Sequence, residues 1–159
     1  MRLAAGLLGL LVCCAVSARD EIAVIVASDA PALQIDAALL RDIYLKKIFL
    51  DKRGLSFVPV NLPPDHPLRR ALADGIFNKS TQQLQNYWNQ RYFHGIMPPY
   101  VLNSQEAVLQ FVAKTPGAIG YIASCRIDAR VKLVLSISVP PAQREGLKTL
   151  CNSDDHAAD

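Results

Sequence analysis

Hydrophobic positions along this chain switch between two periods, and the switches mark out its elements. Residues 21–27 (EIAVIVA) are a continuous apolar run rich in β-branched side chains, as in a strand covered on both faces. Asp36 then precedes Leu39, Leu40, Ile43, Tyr44 and Lys47, a helical stripe that Asp36 is suited to cap. Asp51-Lys52-Arg53-Gly54 is turn chemistry, and residues 57–62 (FVPVNL) predict a second strand, with Pro59 indicating an edge or a bulge. Two prolines stop that strand. Pro67 then suits the first turn of a helix whose apolar face is Leu68, Ala71, Leu72 and Ile76. Ser80-Thr81-Gln82-Gln83 fits a capping box at the start of a third helix, on which Leu84, Trp88 and Tyr92 should face the core. A fourth helix starts at Asn103-Ser104, carries Val108, Phe111 and Val112, and ends at Thr115-Pro116-Gly117. Residues 118–122 (AIGYI) and 131–137 (VKLVLSI) predict strands, the second alternating as a half-exposed strand does; a short helix is expected around 145–150. Strands alternating with helices imply an α/β layered domain with a mixed or parallel sheet flanked by helices.

Length sharpens this picture. A chain of 159 residues is one domain's worth, and 51% hydrophobic residues can bury enough surface to offset chain entropy, which excludes global disorder. A net charge of +3, scattered along the chain, is no electrostatic footprint for nucleic acid. Residues 1–18 read as a secretory signal peptide: Arg2, an apolar run from Leu3 to Val16, and the small-residue end Val16-Ser17-Ala18. An N-terminal membrane anchor is the alternative, but the run is shorter than the ~20 residues needed to cross a bilayer. The expected organisation is therefore a signal peptide at 1–18, an α/β domain at 19–139 and a C-terminal tail at 140–159. The mature protein is expected outside the inner membrane, in the periplasm, with no stable membrane span.

Export changes the meaning of the cysteines. Cys13 and Cys14 leave with the signal, and Cys125 and Cys151 remain as an even pair in a disulfide-permissive compartment. A bridge between them would contribute about 3 kcal/mol by loop closure; two unpaired thiols are the alternative. Neither has a neighbouring His or an x-x-Cys partner, which argues against zinc binding and thiol catalysis. No G-x-S-x-G, P-loop, G-x-G-x-x-G or H-E-x-x-H occurs, and His66, His94 and His156 lie far apart without ligand-spaced partners. No enzyme, metal or cofactor is expected.

The positive signal runs along the ordered part of the chain. It comprises the helix Leu39-Leu40-Arg41-Asp42-Ile43-Tyr44-Leu45-Lys46-Lys47, then Phe57-Val58-Pro59-Val60-Asn61 and Leu68-Arg69-Arg70-Ala71-Leu72. Further on stand Ser104-Gln105-Glu106-Ala107-Val108 and Thr115-Pro116-Gly117-Ala118-Ile119-Gly120-Tyr121-Ile122. In this order, over residues 21–135, the chain resembles the phosphate-type periplasmic solute-binding proteins of ABC transporters, above all their small single-lobe members. The resemblance implies a single periplasmic-binding-protein-like lobe. It also implies a small anion such as phosphate as ligand, and an ABC transporter or another envelope protein as partner.

Phosphate-binding relatives enter a helix through an R-S-D-G-S-G-T-R stretch whose amides and hydroxyls meet the anion. Here the matching loop is Leu62-Pro63-Pro64-Asp65-His66-Pro67-Leu68-Arg69. Asp65 and Arg69 persist, while Leu62 replaces the first arginine and Pro67 removes an amide donor. The candidate ligand set is Ser28, Asn61, Asp65, His66, Arg69 and Thr115. Arg69 offers a bidentate fork, and protonated His66 a second donor below about pH 6.5. Ser28, Asn61 and Thr115 end elements expected to open on the same crevice. The plainer reading makes Arg69 a solvated helix residue and Ser28 a turn cap. A single lobe leaves an anion half solvated, so tight capture calls for dimerisation or a partner. A second function class fits the same fold: an envelope protein-interaction module with no solute ligand, docking through Tyr92, Phe93, Ile96, Met97 and Tyr100.

Overall fold

The computed structural model describes residues 21–152; residues 1–20, with the segment 1–18 expected to be a signal peptide, and residues 153–159 lie outside the described residues. Strand β1 (Glu21–Ala27) is buried along its middle, as its unbroken apolar run requires. Helix α1 (Ala37–Tyr44) is capped by Asp36, whose Oδ1 accepts from Leu39 N at 2.7 Å. Strand β2 (Val58–Asn61) leads through the proline loop to α2 (Pro67–Leu72), which relaxes into a π-type turn at Ala73–Phe77. Helix α3 (Thr81–Tyr92) carries the expected capping box between Ser80 and Gln83. A two-residue strand β3 (Tyr100–Val101) precedes α4 (Gln105–Lys114), β4 (Ala118–Ala123), β5 (Val131–Ser138) and α5 (Arg144–Asn152).

The five strands make one sheet in the order β3-β2-β4-β1-β5. β2 runs parallel to both β3 and β4, whereas β1 runs antiparallel to β4 and β5. Strand β4, all six residues buried, is the spine of the molecule. On one of its faces α4 packs so closely that a Cβ on Gly120 would lie 2.6 Å from Val108 Cγ1 and 2.9 Å from Val112 Cγ2. On the other face Tyr121 meets Tyr44 of α1, ring centroids 6.0 Å apart. This is a single lobe: a mixed sheet between helices.

Three expectations change. Pro59 lies inside the sheet rather than on its edge, yet it breaks no ladder. Val58 N donates to Gly117 O at 2.9 Å, so by strand alternation the Pro59 nitrogen faces the other side, where β3 pairs only from Val60 onward. Helix α3 does not bury a Leu84–Trp88–Tyr92 stripe: Tyr92 is 60% exposed. Polar groups dock this helix instead, through Tyr87 Oη to Leu45 O at 2.6 Å and Arg91 Nη2 to Lys46 O at 2.8 Å. Finally, the packed unit continues past Pro140. Leu147 of α5 is fully buried, Gln143 Nε2 donates to Asp74 Oδ2 at 2.7 Å, and Cys151 is joined to Cys125 with Cα atoms 5.9 Å apart.

Candidate functional site

The carboxyl ends of the parallel pair β2 and β4 gather a buried polar cluster. Tyr44 Oη donates toward Val60 O at 2.9 Å, with Ile119 O at 3.3 Å. Tyr121 Oη donates to Asn61 Oδ1 and accepts from Leu62 N, both at 3.2 Å. Arg69, on α2, reaches back so that Nη1 donates to Leu62 O at 2.6 Å. Burial pushes the Tyr121 hydroxyl up to about 12, against smaller lowering effects from the Leu62 amide and the Arg69 charge. Burial likewise raises Tyr44 well above the ordinary phenol value, with Tyr121 adding to the shift and Arg69 opposing it. Both hydroxyls are therefore neutral donors at any physiological pH. Beside them lies a pocket of about 30 Å³ lined by Tyr44, Asn61, Arg69, Phe77 and Trp88. That is room for a water molecule rather than for an oxyanion.

The start of α2 is closed to ligands. Pro67 has no amide, Leu68 N donates to His66 Nδ1 at 3.2 Å, and Arg69 N and Arg70 N both turn to His66 O. His66 thus serves as the N-cap, with Nδ1 accepting from the helix rather than donating to an anion. Asp65 is exposed on the loop. What remains open is Arg69 itself. Its one side-chain hydrogen bond among the described residues uses Nη1, which leaves the Nη2 and Nε donors unused on a residue that lines the pocket.

The six candidate residues do not converge. Asn61, Asp65, His66 and Arg69 stand at the carboxyl end of β2, whereas Ser28 and Thr115 stand at the opposite end of the sheet. The cause is strand direction. β1 is antiparallel to β4, pairing Ile22 with Ala123 and Ile25 with Gly120, so the residue after β1 lies beside the beginning of β4, where Thr115 is. Ser28 N donates to Arg130 O there, and Thr115 O accepts from Ala118 N. A larger cavity of about 250 Å³, lined by residues including Asp29, Lys114 and Thr115, opens at that end.

Sequence reasoning missed Tyr44 and Tyr121 as polar groups. Tyr44 sits on an apolar helical stripe and Tyr121 inside an apolar strand, so both read as core; their hydroxyl partners are many residues away. It also missed Gln105, fully buried, whose Oε1 accepts from Ala123 N at 2.8 Å. Among the described residues there is no cluster of three His, Cys, Asp or Glu side chains able to hold a metal, and no helix long and apolar enough to cross a membrane.

The mixed five-strand sheet flanked by helices is a fold the chain shares with solved substrate-binding proteins. Among solved structures the chain is similar to a protein assigned to phosphate ABC transport as a substrate-binding protein, with bound phosphate, from Clostridium perfringens. The two are 17% identical with a TM-score of 0.60, over 84% of this chain and 61% of that one. It is also similar to an ABC-type phosphate transport receptor from Vibrio cholerae (15% identical, TM-score 0.60, 85% of this chain and 64% of that one). PstS from Borrelia burgdorferi matches over 65% of this chain and 40% of that one, 18% identical with a TM-score of 0.51. The chain thus spans less than two thirds of the length of each, and at such identities the likeness is one of fold. No family model and no curated protein matches the chain.

Proposed function

We propose that this protein is an exported solute-binding-like lobe that receives a small anion at the rim formed by Arg69 and Asn61. The observation that carries the reading is Arg69: a half-buried guanidinium, braced by Leu62 O, with donors left over at the carboxyl end of the parallel strands. Structural neighbours that are transport proteins, one of them with bound phosphate, support it. The closed α2 start and the 30 Å³ pocket argue for a half-solvated anion outside the cluster rather than a fully enclosed one. Affinity of the isolated lobe is then weak, on the order of millimolar, and a transporter or a second protein must complete the site.

Calorimetric titration of the mature protein with phosphate, sulfate and acetate tests this. Expected is weak binding of at least one anion that Arg69→Ala abolishes while circular dichroism stays native. Silence with all three anions, or binding indifferent to Arg69→Ala, overturns it.

One observation favours a second reading, an interaction module without solute. Phe93 is 86% exposed, Tyr100 67%, and Tyr92 and Met97 60% each, in the segment that leads into the edge strand β3; Ile96 is half-buried and Pro99 buried. Residues 92–101 contain no Lys, Arg, Asp or Glu, so two copies of the chain can meet there without repulsion. Sedimentation velocity that shows a dimer, lost in Phe93→Glu, supports that reading; a monomer at all concentrations removes its simplest form.

A further inference from the structure

The larger cavity belongs to neither reading. It lies at the end of the sheet away from Arg69, between the segment after β1, the 51–57 segment and the C-terminus of α4, and measures about 250 Å³. Its floor is apolar and buried: Val26, Phe57, Ala118 and Ile119. A dry cavity of about 150 Å³ accommodates a benzene ring, so this one has room for a branched or aromatic group together with a few further atoms.

Its walls are fixed by bonds of their own. Asp51 Oδ2 accepts from Arg53 Nε and Nη2 at 3.1 and 2.9 Å, while Oδ1 accepts from Arg53 N and Leu55 N at 2.8 and 2.9 Å. Those contacts hold the Asp51 carboxyl below its usual range, the Leu55 amide contributing most, and make the pair internally neutral. Lys132 Nζ anchors the segment after β1 by donating to Ala30 O. Gly117 forms the opposite wall at φ +77°, locked by the Ser56 backbone, whose oxygen would lie 2.0 Å from any added Cβ.

With Asp51 and Arg53 cancelling, two lining charges stand unpaired. Asp29 and Lys114 make no ion pair or side-chain hydrogen bond among the described residues. An apolar floor under one free acid and one free base selects a ligand with the same three parts. We propose that this cavity binds a small apolar zwitterion the size of free leucine or phenylalanine, its ammonium paired with Asp29 and its carboxylate with Lys114. The site is independent of the anion rim, because the β2 strand separates the two ends.

Ligand-detected and ¹⁵N-resolved NMR titrations of the intact mature protein test this with four probes: leucine, phenylalanine, 4-methylpentanoate and isoamylamine. Expected are shifts at the amides of Ala113–Thr115 and Gly117–Ile119 on adding either amino acid, and binding about tenfold weaker for each probe lacking one charge, a difference of about 1.4 kcal/mol. Asp29→Asn should erase the preference for leucine over 4-methylpentanoate, and Lys114→Gln that over isoamylamine; both side chains are exposed, so neither change threatens the fold. Absence of shifts with every probe overturns the proposal. So does binding that ignores charge, which would make the cavity a generic apolar pocket, and so do shifts confined to the Arg69 end.

Discussion

Tyr121 ties the sheet to its loop through one hydroxyl, donating to Asn61 and accepting from Leu62. Because burial raises this phenol to about 12 while an unfolded tyrosine titrates near 10, its stabilising effect is complete below pH 10. As pH rises from there, the unfolded chain loses its proton first, and stability falls until the folded phenol titrates in turn. Urea unfolding should therefore show a decline above pH 10 of up to about 1.4 kcal/mol per pH unit from this group. Tyr121→Phe should lose about 1–3 kcal/mol at pH 7, from the partners it strands, yet decline less steeply in alkali. Gly117 is the other demanding position. At φ +77° with the Ser56 oxygen in its way, Gly117→Ala should destabilise by more than about 2 kcal/mol in the same assay. The Thr-Pro-Gly signal predicts a helix stop there; that the glycine also closes a cavity wall depends on Ser56, which only folding brings near.

Local rules carried far at the level of single elements. Asp36, Ser80 and Ser104 all cap helices where short-range pattern places caps, since capping needs only three or four consecutive residues. Pattern misled at α3, where polar docking replaced an apolar stripe, and at the boundary near Pro140. Helix α5 reads as a short helix in a tail, yet Leu147 is fully enclosed, and a Cβ added to Gly146 would lie 3.6 Å from Pro67 Cβ of α2. Leu147→Ala should accordingly lower unfolding free energy by about 2–5 kcal/mol, against a few tenths if α5 were a frayed tail. The same docking places α5 beside the proline loop. Ser80→Ala, by contrast, should remove only about 1 kcal/mol, the capping contribution, because residues 82–92 of α3 are exposed or half-buried.

For the molecule as a whole, the Cys125–Cys151 bridge spans 26 positions and fastens α5 to the segment after β4. Loop-closure entropy assigns it about 3–4 kcal/mol. Reduced protein, or Cys151→Ser, should unfold at correspondingly lower urea concentration with the far-ultraviolet spectrum of the folded state largely kept. The Arg130 guanidinium makes a second clasp, binding distant Glu106 at 2.7 and 2.9 Å and neighbouring Asp128 at 2.6 Å, and its hydrogen bonds hold both carboxyls below their ordinary values. These groups are largely solvated, so acid should weaken the clasp without unfolding the lobe.

Element types, caps and the α/β class were legible from the chain because they depend on neighbours within a turn or on the alternation of a strand. Arg69 and Asn61 were legible as a pair for the same reason: strand, loop and helix follow directly on one another. Strand direction was not legible. Nothing in residues 21–27 says whether they run with or against β4, and that choice carries Ser28 to the end of the sheet opposite Asn61. Tertiary packing alone thus divided the residues expected around one crevice between the two ends of the sheet, Asn61 and Arg69 at one and Ser28 and Thr115 at the other. Side-chain chemistry travels with the sequence, whereas which side chains meet depends on pairings between distant strands, made by backbone hydrogen bonds that every residue can offer.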